Sequence, residues 1–156
     1  MKITTQEEIQ NLRKVPLFQN LKPSELKIIS LSMKNFIFEA GEVIVREGDE
    51  GDEAYIIYSG QVKVYRSLNH DHSFSLIELG PGEMFGEMAL FGDGLRNASV
   101  KAVKETLVGV ISKERLYEII REFPDIAIGI LKIQTQRFSR AENLLMEFIK
   151  KEEKMA

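Results

Sequence analysis

Residues 36–111 carry short apolar runs that alternate with polar residues and are interrupted by glycine-containing turns. Apolar side chains recur at every second position, for example at Val62 and Val64. A period of two is the pattern of half-buried β-strands. In the run 74–79 the phase of the alternation slips once, which predicts a β-bulge. Many short strands at this spacing indicate a β-sandwich or a β-roll.

Helical patterns precede this β-region, within residues 1–33. A first helix is predicted over residues 5–15, where Thr5 and Glu8 have the spacing of a capping box. A second helix is predicted over residues 23–33, because its proline suits a first helical turn and its apolar residues recur along one side.

The segment that follows the β-region, residues 112–150, is also predicted to be helical. A helix over 113–123 is separated by Pro124 from a longer one over 125–150. One apolar stripe on the longer helix is enough to pack on a single domain, and a second stripe predicts a homodimer through this helix. One wide buried face is the alternative. The first stripe holds Ile126, Ile130, Ile133, Ala141, Leu144 and Phe148, and the second holds Leu131, Phe138, Leu145 and Ile149.

The composition excludes several classes of protein. The 156-residue chain has 44% hydrophobic and 29% charged residues, the balance of a globular domain. It has no cysteine, which excludes disulfides, thiolate metal sites and cysteine nucleophiles. The net charge is −3 and no apolar run is long enough to cross a membrane. We therefore expect a cytoplasmic protein that binds neither nucleic acid nor a membrane.

Residues 80–102 bring several polar groups suited to a ligand into one short stretch. Gly86 permits close approach to the backbone, and residues 87–90 can form a single helical turn whose first N–H groups are free to bind an anion. Arg96 adds a permanent cation. The arginine and the N–H groups suit a phosphate, whereas the carboxylate of Glu87 suits a sugar hydroxyl.

The order of these residues resembles the phosphate-binding cassette of the cyclic nucleotide-binding domain, the family of the catabolite gene activator and the cAMP-dependent protein kinase regulatory subunit. The family pattern is Phe-Gly-Glu, an aliphatic residue and Ala-Leu, followed after a short loop by Pro-Arg, a small residue, Ala, Thr or Ser, and Val. Here residues 85–90 read FGEMAL and residues 95–100 read LRNASV. Leu95 replaces the usual proline, and Asn97 replaces the usual alanine or threonine.

A second group of residues carries the same resemblance outside the cassette. Residues 46–49 read REGD, and the GD, YII and SG that follow lie within residues 51–60. The resembling segments together cover roughly residues 17–145. The resemblance implies an α+β, mainly β fold: a double-stranded β-helix, or jelly-roll-like β-roll, over residues 34–111, with N-terminal helices and a long C-terminal helix. The whole chain is then a single cyclic nucleotide-binding domain.

The resemblance also implies roles for individual residues. Glu87 accepts a hydrogen bond from the ribose 2′-hydroxyl, and Arg96 pairs with the cyclic phosphate, helped by backbone N–H groups near Ala89 and Ala98. The ligand-binding residues implied in this way are Phe85, Gly86, Glu87, Met88, Ala89, Arg96, Asn97, Ala98 and Ser99. The base pocket or lid is expected to involve Val62, Val64, Leu76, Arg140 and Asn143.

These features predict a non-catalytic cyclic nucleotide sensor that needs no cofactor and shifts its C-terminal helix when nucleotide binds. We expect cAMP rather than cGMP, because Asn97 stands where cGMP-selective relatives carry a threonine that contacts guanine. The chain is expected to be a free-standing module without a DNA-binding domain, with a segment cut from a longer protein as the alternative. It is expected to act on a downstream protein that the sequence does not identify. The alternative is a structural dimerisation or protein-docking module with a vestigial nucleotide pocket.

Three other segments match functional sites less well. Residues 47–53 are acidic, but their spacing does not fit a calcium loop, and a hairpin turn is predicted. His70 and His72 lack a third metal ligand, so a solvated loop is predicted there. The adjacent Asp71, His72 and Ser73 would point apart rather than form a catalytic triad. We therefore expect neither a metal site nor an enzyme.

Overall fold

The computed structural model describes residues 4–156, so the predictions for residues 1–3 lie outside the described part of the chain. The chain divides into two compact units, Met1–Glu118 and Ile119–Ala156. All strands of the described residues belong to the first unit, and the long C-terminal helix belongs to the second. That the whole chain acts as one domain stays a prediction.

The order of elements matches the prediction of helices before and after a central β-region. The helices are α1 (Thr5–Arg13), α2 (Pro23–Ser32), α3 (Glu87–Phe91), α4 (Lys113–Glu122) and α5 (Pro124–Met155), and a 3₁₀ turn occupies Pro16–Phe18. The strands are β1 (Lys34–Phe38), β2 (Val43–Val45), β3 (Glu53–Ser59), β4 (Val62–Ser67), β5 (Ser73–Leu79), β6 (Met84–Phe85), β7 (Ser99–Ala102) and β8 (Thr106–Ser112).

Eight strands form two four-stranded antiparallel sheets. The strand order is β1-β8-β3-β6 in one sheet and β2-β7-β4-β5 in the other. Apolar side chains from both sheets meet in one buried cluster, as expected when the inward residues of each strand alternate with outward ones. This arrangement confirms the predicted β-roll with helices at both ends. The cluster consists of Val45, Tyr55, Ile57, Val62, Leu79, Phe85, Val100, Val108 and Val110.

The N-terminal capping box uses different residues from those predicted. Thr4 is the N-cap of α1, and its hydroxyl accepts from the backbone N–H of Glu7 at 3.2 Å. The carboxylate of Glu7 accepts in return from the N–H of Thr4 at 2.7 Å. The prediction of Thr5 and Glu8 was one residue too late, because Thr5 is already helical. Glu8 instead accepts a hydrogen bond from the side-chain amide of Asn35.

Two features of the β-region test finer predictions. The β4–β5 register passes from Val64↔Ile77 to Tyr65↔Ser75, so Leu76 is the extra residue of a bulge and the predicted phase slip is confirmed.

The prediction of a hairpin turn at residues 47–53 is wrong. This segment connects β2 in one sheet to β3 in the other, and a crossing between sheets leaves no local period by which it could be recognised.

Helix α5 is longer than predicted and ends at Met155 rather than near Lys150. Its 32 residues correspond to about 48 Å at the α-helical rise. The extension follows from the lysines and glutamates at its end, which are good helix formers. Between α4 and α5, Phe123 has a non-helical backbone and Pro124 lacks an N–H group, so the chain breaks there.

Most of the apolar side chains of α5 are exposed in this structure. Ile126 and Ile130 are buried, whereas Phe138 is 64% exposed and Phe148 is 61% exposed. Across residues 4–156, no helix has both the length and the apolar composition required to cross a bilayer.

Candidate functional site

The entry into the cassette requires a glycine. Gly86 has a φ of +83°, a conformation that glycine adopts without strain, and it caps the start of α3. A Cβ atom at this position would lie 2.8 Å from Nη1 of Arg96 and 3.1 Å from Cδ2 of Tyr55. Gly86 therefore serves both the turn and the close packing of the arginine against the backbone.

Arg96 is held in one orientation by the protein itself. The side chain is only 7% exposed, and Nη1 donates to the carbonyl of Gly86 at 2.7 Å while Nη2 donates to the carbonyl of Glu53 at 2.9 Å. Its guanidinium carbon lies 5.7 Å from the ring centroid of Tyr55, which stacks on Phe85 at 4.8 Å. A guanidinium has further N–H donors, so these contacts orient the cation and still leave it able to bind an anion.

The loop before β3 forms the cradle of the arginine segment. The N–H of Gly48 donates to the carbonyl of Arg96, and the N–H of Arg96 donates to the carbonyl of Asp49, each at 2.8 Å. The N–H of Gly51 donates to the carbonyl of Gly94, also at 2.8 Å. The REGD motif with the glycine that follows it and the arginine segment of the cassette, separate in the sequence, are thus hydrogen-bonded to each other in the fold.

Gly51 has a role that the sequence analysis missed. A Cβ atom at Gly51 would lie 2.3 Å from Nε of Arg96 and 2.4 Å from its Cζ, so only glycine leaves room for the side chain. The sequence does show a glycine within an acidic motif at this position. Its partner, Arg96, is 45 positions further along the chain, so only the fold shows the contact.

The remaining cassette residues divide into buried and exposed groups. Glu87 is 1% exposed at the start of α3, and Ala89 and Ala98 are buried nearby in the same cassette. Met88 is 53% exposed, and its sulfur lies 3.4 Å from the side-chain nitrogen of the exposed Asn97. The structure therefore places the buried carboxylate of Glu87 and the buried guanidinium of Arg96 in one loop. Asn97, the residue expected to face the purine, remains exposed.

Ser99 lies at the first position of β7. Its Oγ accepts from the backbone N–H of Glu47 at 2.9 Å, so the hydroxyl ties the cassette to the loop after β2. The carboxylate of Glu47 accepts from the backbone N–H of Ser67 at 2.9 Å, and this bond lowers the pKa of Glu47. The sequence analysis assigned no role to Glu47 beyond its place in the second motif.

The residues expected around the base lie in different environments. Val62 belongs to the buried cluster and has no exposed surface, and Val64 packs against that cluster from its edge. Leu76 is 40% exposed on the bulge of β5. Arg140 and Asn143 are exposed and line a shallow groove along one side of α5, in the second unit. Their assignment as lid residues stays a prediction.

A groove of about 240 Å³ lies beside Arg96, on the side of the loop before β3. Burial raises the pKa of Tyr55, which lines this groove, and the nearby Glu53 adds to the effect. Within the described part of the chain, no group of three His, Cys, Asp or Glu residues is arranged to hold a metal ion. The other lining residues are Val43, Ile44, Val45, Arg46, Asp49, Glu50, Asp52 and Glu53.

Tyr117 ties the far end of α3 to α4. Its hydroxyl donates to the carbonyl of Leu90 at 2.6 Å, and its ring stacks on Phe91 with the centroids 5.7 Å apart. The sequence analysis missed this contact, because no local pattern indicates a partner for the hydroxyl of Tyr117.

Comparisons with known proteins agree with this geometry. The family model described as "Cyclic nucleotide-binding domain" matches residues 36–123, more than half of the chain. The chain is 30% identical over 138 residues to the CRP-like cAMP-activated global transcriptional regulator of Mycobacterium tuberculosis, covering 88% of this chain and 62% of that protein. It is 34% identical over 123 residues to cGMP-dependent protein kinase 2 of Mus musculus, covering 77% of this chain and 16% of the kinase.

Among solved structures, the catabolite activator protein of Thermus thermophilus superposes with a TM-score of 0.76 and 32% identity, covering 83% of this chain and 61% of that one. The chain therefore spans about three fifths of the length of the transcriptional regulators that it matches.

Proposed function

The chain belongs to the cyclic nucleotide-binding domain family, and we propose that it is a non-catalytic sensor whose ligand is a cyclic nucleotide. The observation that carries this proposal is the pose of Arg96, a buried cation held by the backbone carbonyls of Gly86 and Glu53. The buried Glu87 directly follows Gly86 in the chain. The resemblance of residues 85–100 to the family's cassette implies that both Arg96 and Glu87 contact the ligand.

The phosphate is the part of the ligand that Arg96 would bind. Protein contacts already fix the orientation of the guanidinium, so the side chain loses little further conformational entropy when an anion binds. Its burial also strengthens the attraction, because a charge pair screened from water interacts more strongly than one in solvent.

The ribose is the part that Glu87 would bind. An ionised carboxylate only accepts hydrogen bonds, so a sugar hydroxyl is a matching donor. Glu87 is buried at the start of α3, inside the cassette, which supports a role in ligand binding rather than in general surface charge.

We infer that cAMP is preferred over cGMP. The inference rests on Asn97, an exposed amide at the position where cGMP-selective relatives carry a threonine. Relatives named for each nucleotide match this chain at similar identity, so sequence identity alone does not choose between the two.

The response to the ligand is proposed to be a movement of the C-terminal helix about the break at Phe123 and Pro124. The nucleotide can shift this equilibrium only by its difference in affinity for the two positions of the helix. The exposed members of the two apolar stripes of α5, such as Phe138, Leu145 and Phe148, support a homodimer, because a second copy of the helix would cover them. The downstream protein and the cytoplasmic location stay predictions from sequence.

Thermal unfolding of nucleotide-stripped protein tests the proposed function. A ligand at concentration L that binds only the folded state stabilises it by RT ln(1 + L/Kd), so the melting temperature rises as the ratio of ligand concentration to Kd increases. We expect cAMP to raise it more than cGMP at equal concentration, with AMP having little effect. A protein that dimerises but responds to neither cyclic nucleotide would instead be the structural module with a vestigial pocket.

A further inference from the structure

One edge of the cassette interrupts a β-ladder. Strand β7 is the last part of the cassette and begins at Ser99, and the last β4–β7 pair is Tyr65↔Ser99. Strand β4 continues to Ser67, but the chain that would pair with it has already turned away into the cassette. The N–H group of Ser67 therefore has no β7 partner, and a backbone donor in a sheet requires an acceptor from elsewhere.

Glu47 supplies that acceptor. One carboxylate oxygen accepts from the N–H of Ser67 at 2.9 Å, and the other accepts from Nε of Arg66 at 3.2 Å. The side chain thus takes the place of the missing strand at the end of β4. A bond from a backbone N–H to an ionised carboxylate is stronger than an ordinary ladder bond.

The backbone of the same residue is tied to the cassette. The N–H of Glu47 donates to Oγ of Ser99 at 2.9 Å, and the N–H of the next residue, Gly48, donates to the carbonyl of Arg96 at 2.8 Å. The backbone at Glu47 and Gly48 is therefore bonded to the segment that carries Arg96, while the side chain of Glu47 is bonded to strand β4.

The two bonds of the carboxylate differ in importance. The ion pair with Arg66 is largely in solvent, since the arginine side chain is 54% exposed, and exposed pairs contribute little. The bond to Ser67 satisfies a fixed backbone group and lowers the pKa of Glu47, so the carboxylate is ionised at neutral pH. The backbone bond is the one that ties the end of β4, beyond its last β7 pair, to the loop after β2.

We propose that Glu47 is a positioning residue, which sets the distance between the phosphate anchor Arg96 and the β4–β5 strand pair that carries Val64 and Leu76. This inference rests on the proposed function, because it matters only if that strand pair contacts the base. Removal of the carboxylate frees the end of β4 from its bond to Glu47. The distance between Arg96 and the β4–β5 pair is then no longer fixed at that end.

The test compares Glu47→Ala with Arg66→Met by calorimetric titration of stripped protein with cAMP and with cGMP. We expect Glu47→Ala to lower the affinity for cAMP about tenfold, the effect of one lost charge-assisted bond, and to change the cAMP-to-cGMP affinity ratio by about threefold or more. Arg66→Met removes only the exposed ion pair and is expected to change neither quantity measurably. Glu47→Gln keeps one acceptor oxygen and is expected to lie between Glu47→Ala and the parent.

Amide exchange measured by NMR separates positioning from general damage. In Glu47→Ala the N–H of Ser67 is expected to exchange faster, while the core amides of Ile57 and Val108 keep their protection. Equal affinities and an unchanged ratio in Glu47→Ala would overturn this inference alone. A parent protein that binds neither nucleotide would overturn the proposed function, and the positioning role with it.

Discussion

Among single residues, Arg96 and the groups that orient it determine what this loop can bind. The guanidinium is enclosed by two glycines, two carbonyls and one aromatic ring, so its position does not depend on a ligand. Preorganisation of this kind contributes to affinity by reducing the ordering that binding would otherwise require. Two substitutions test this account at the residue scale.

Replacement of Arg96 by Leu is expected to cost about 3–5 kcal/mol of binding free energy, because a phosphate would be left in the site without its cation. Competition against a fluorescent cAMP analogue measures the loss. Arg115→Leu is the matched control, since Arg115 is exposed and its ion pair within residues 4–156 is with Glu118 on the same helix. Unchanged affinity in Arg96→Leu would show that the phosphate binds elsewhere.

Replacement of Gly51 by Ala is expected to reduce affinity about tenfold with the sheets still folded, because the added methyl group displaces the guanidinium of Arg96. Gly80→Ala is the control, since a Cβ atom at Gly80 would meet nothing within 4 Å. Affinity is measured by the same competition, and folding by circular dichroism. If both alanine variants bind like the parent, the cradle does not constrain the arginine.

Among the elements, α3 is the shortest helix and is held at both ends. The cassette residues lie at its start, and Tyr117 of α4 bonds the carbonyl of Leu90 near its end. We expect Tyr117→Phe to lower the free energy of unfolding by about 1 kcal/mol, the net value of one hydrogen bond, while the stack on Phe91 remains.

Urea denaturation measures that loss, with Tyr65→Phe as the control. The ring of Tyr65 lies near Lys101, and within residues 4–156 its hydroxyl makes no hydrogen bond. An equal effect of the two substitutions would mean that the bond to Leu90 contributes nothing specific.

The elements also show how far sequence reasoning reaches. The period of two and the phase slip within residues 74–79 were predictable because each leaves a local pattern, and the bulge lies at Leu76. The cassette over residues 80–102 was predicted from its resemblance to a known family, and its ligand contacts stay a prediction. The strand Met84–Phe85 is too short to show a period, and the contacts of Gly51 and Glu47 join positions far apart in the chain. Such contacts depend on how the two sheets bring loops together, which no local pattern records.

For the whole molecule, the apolar residues that α5 leaves exposed predict an assembly of two chains. Removal of residues from Asn143 onward deletes the exposed Leu144 and Phe148, so the dimer is expected to weaken or disappear while the β-roll stays folded. Light scattering measures the mass. Removal of residues 152–156 alone is the control, because this charged end contributes no apolar stripe and the dimer should persist. A parent protein that is monomeric at high micromolar concentration would contradict the dimer.

The central claim is that this chain binds a cyclic nucleotide through Arg96 and Glu87. Isothermal titration of cAMP into protein refolded from denaturant, which removes any bound nucleotide, measures it most directly. The account predicts saturable binding with one site per chain, strongly weakened in Arg96→Leu and less so in Glu87→Gln, where only one charge-assisted bond changes. Absence of saturable binding of both cAMP and cGMP to correctly refolded protein, or binding that Arg96→Leu leaves intact, would contradict it.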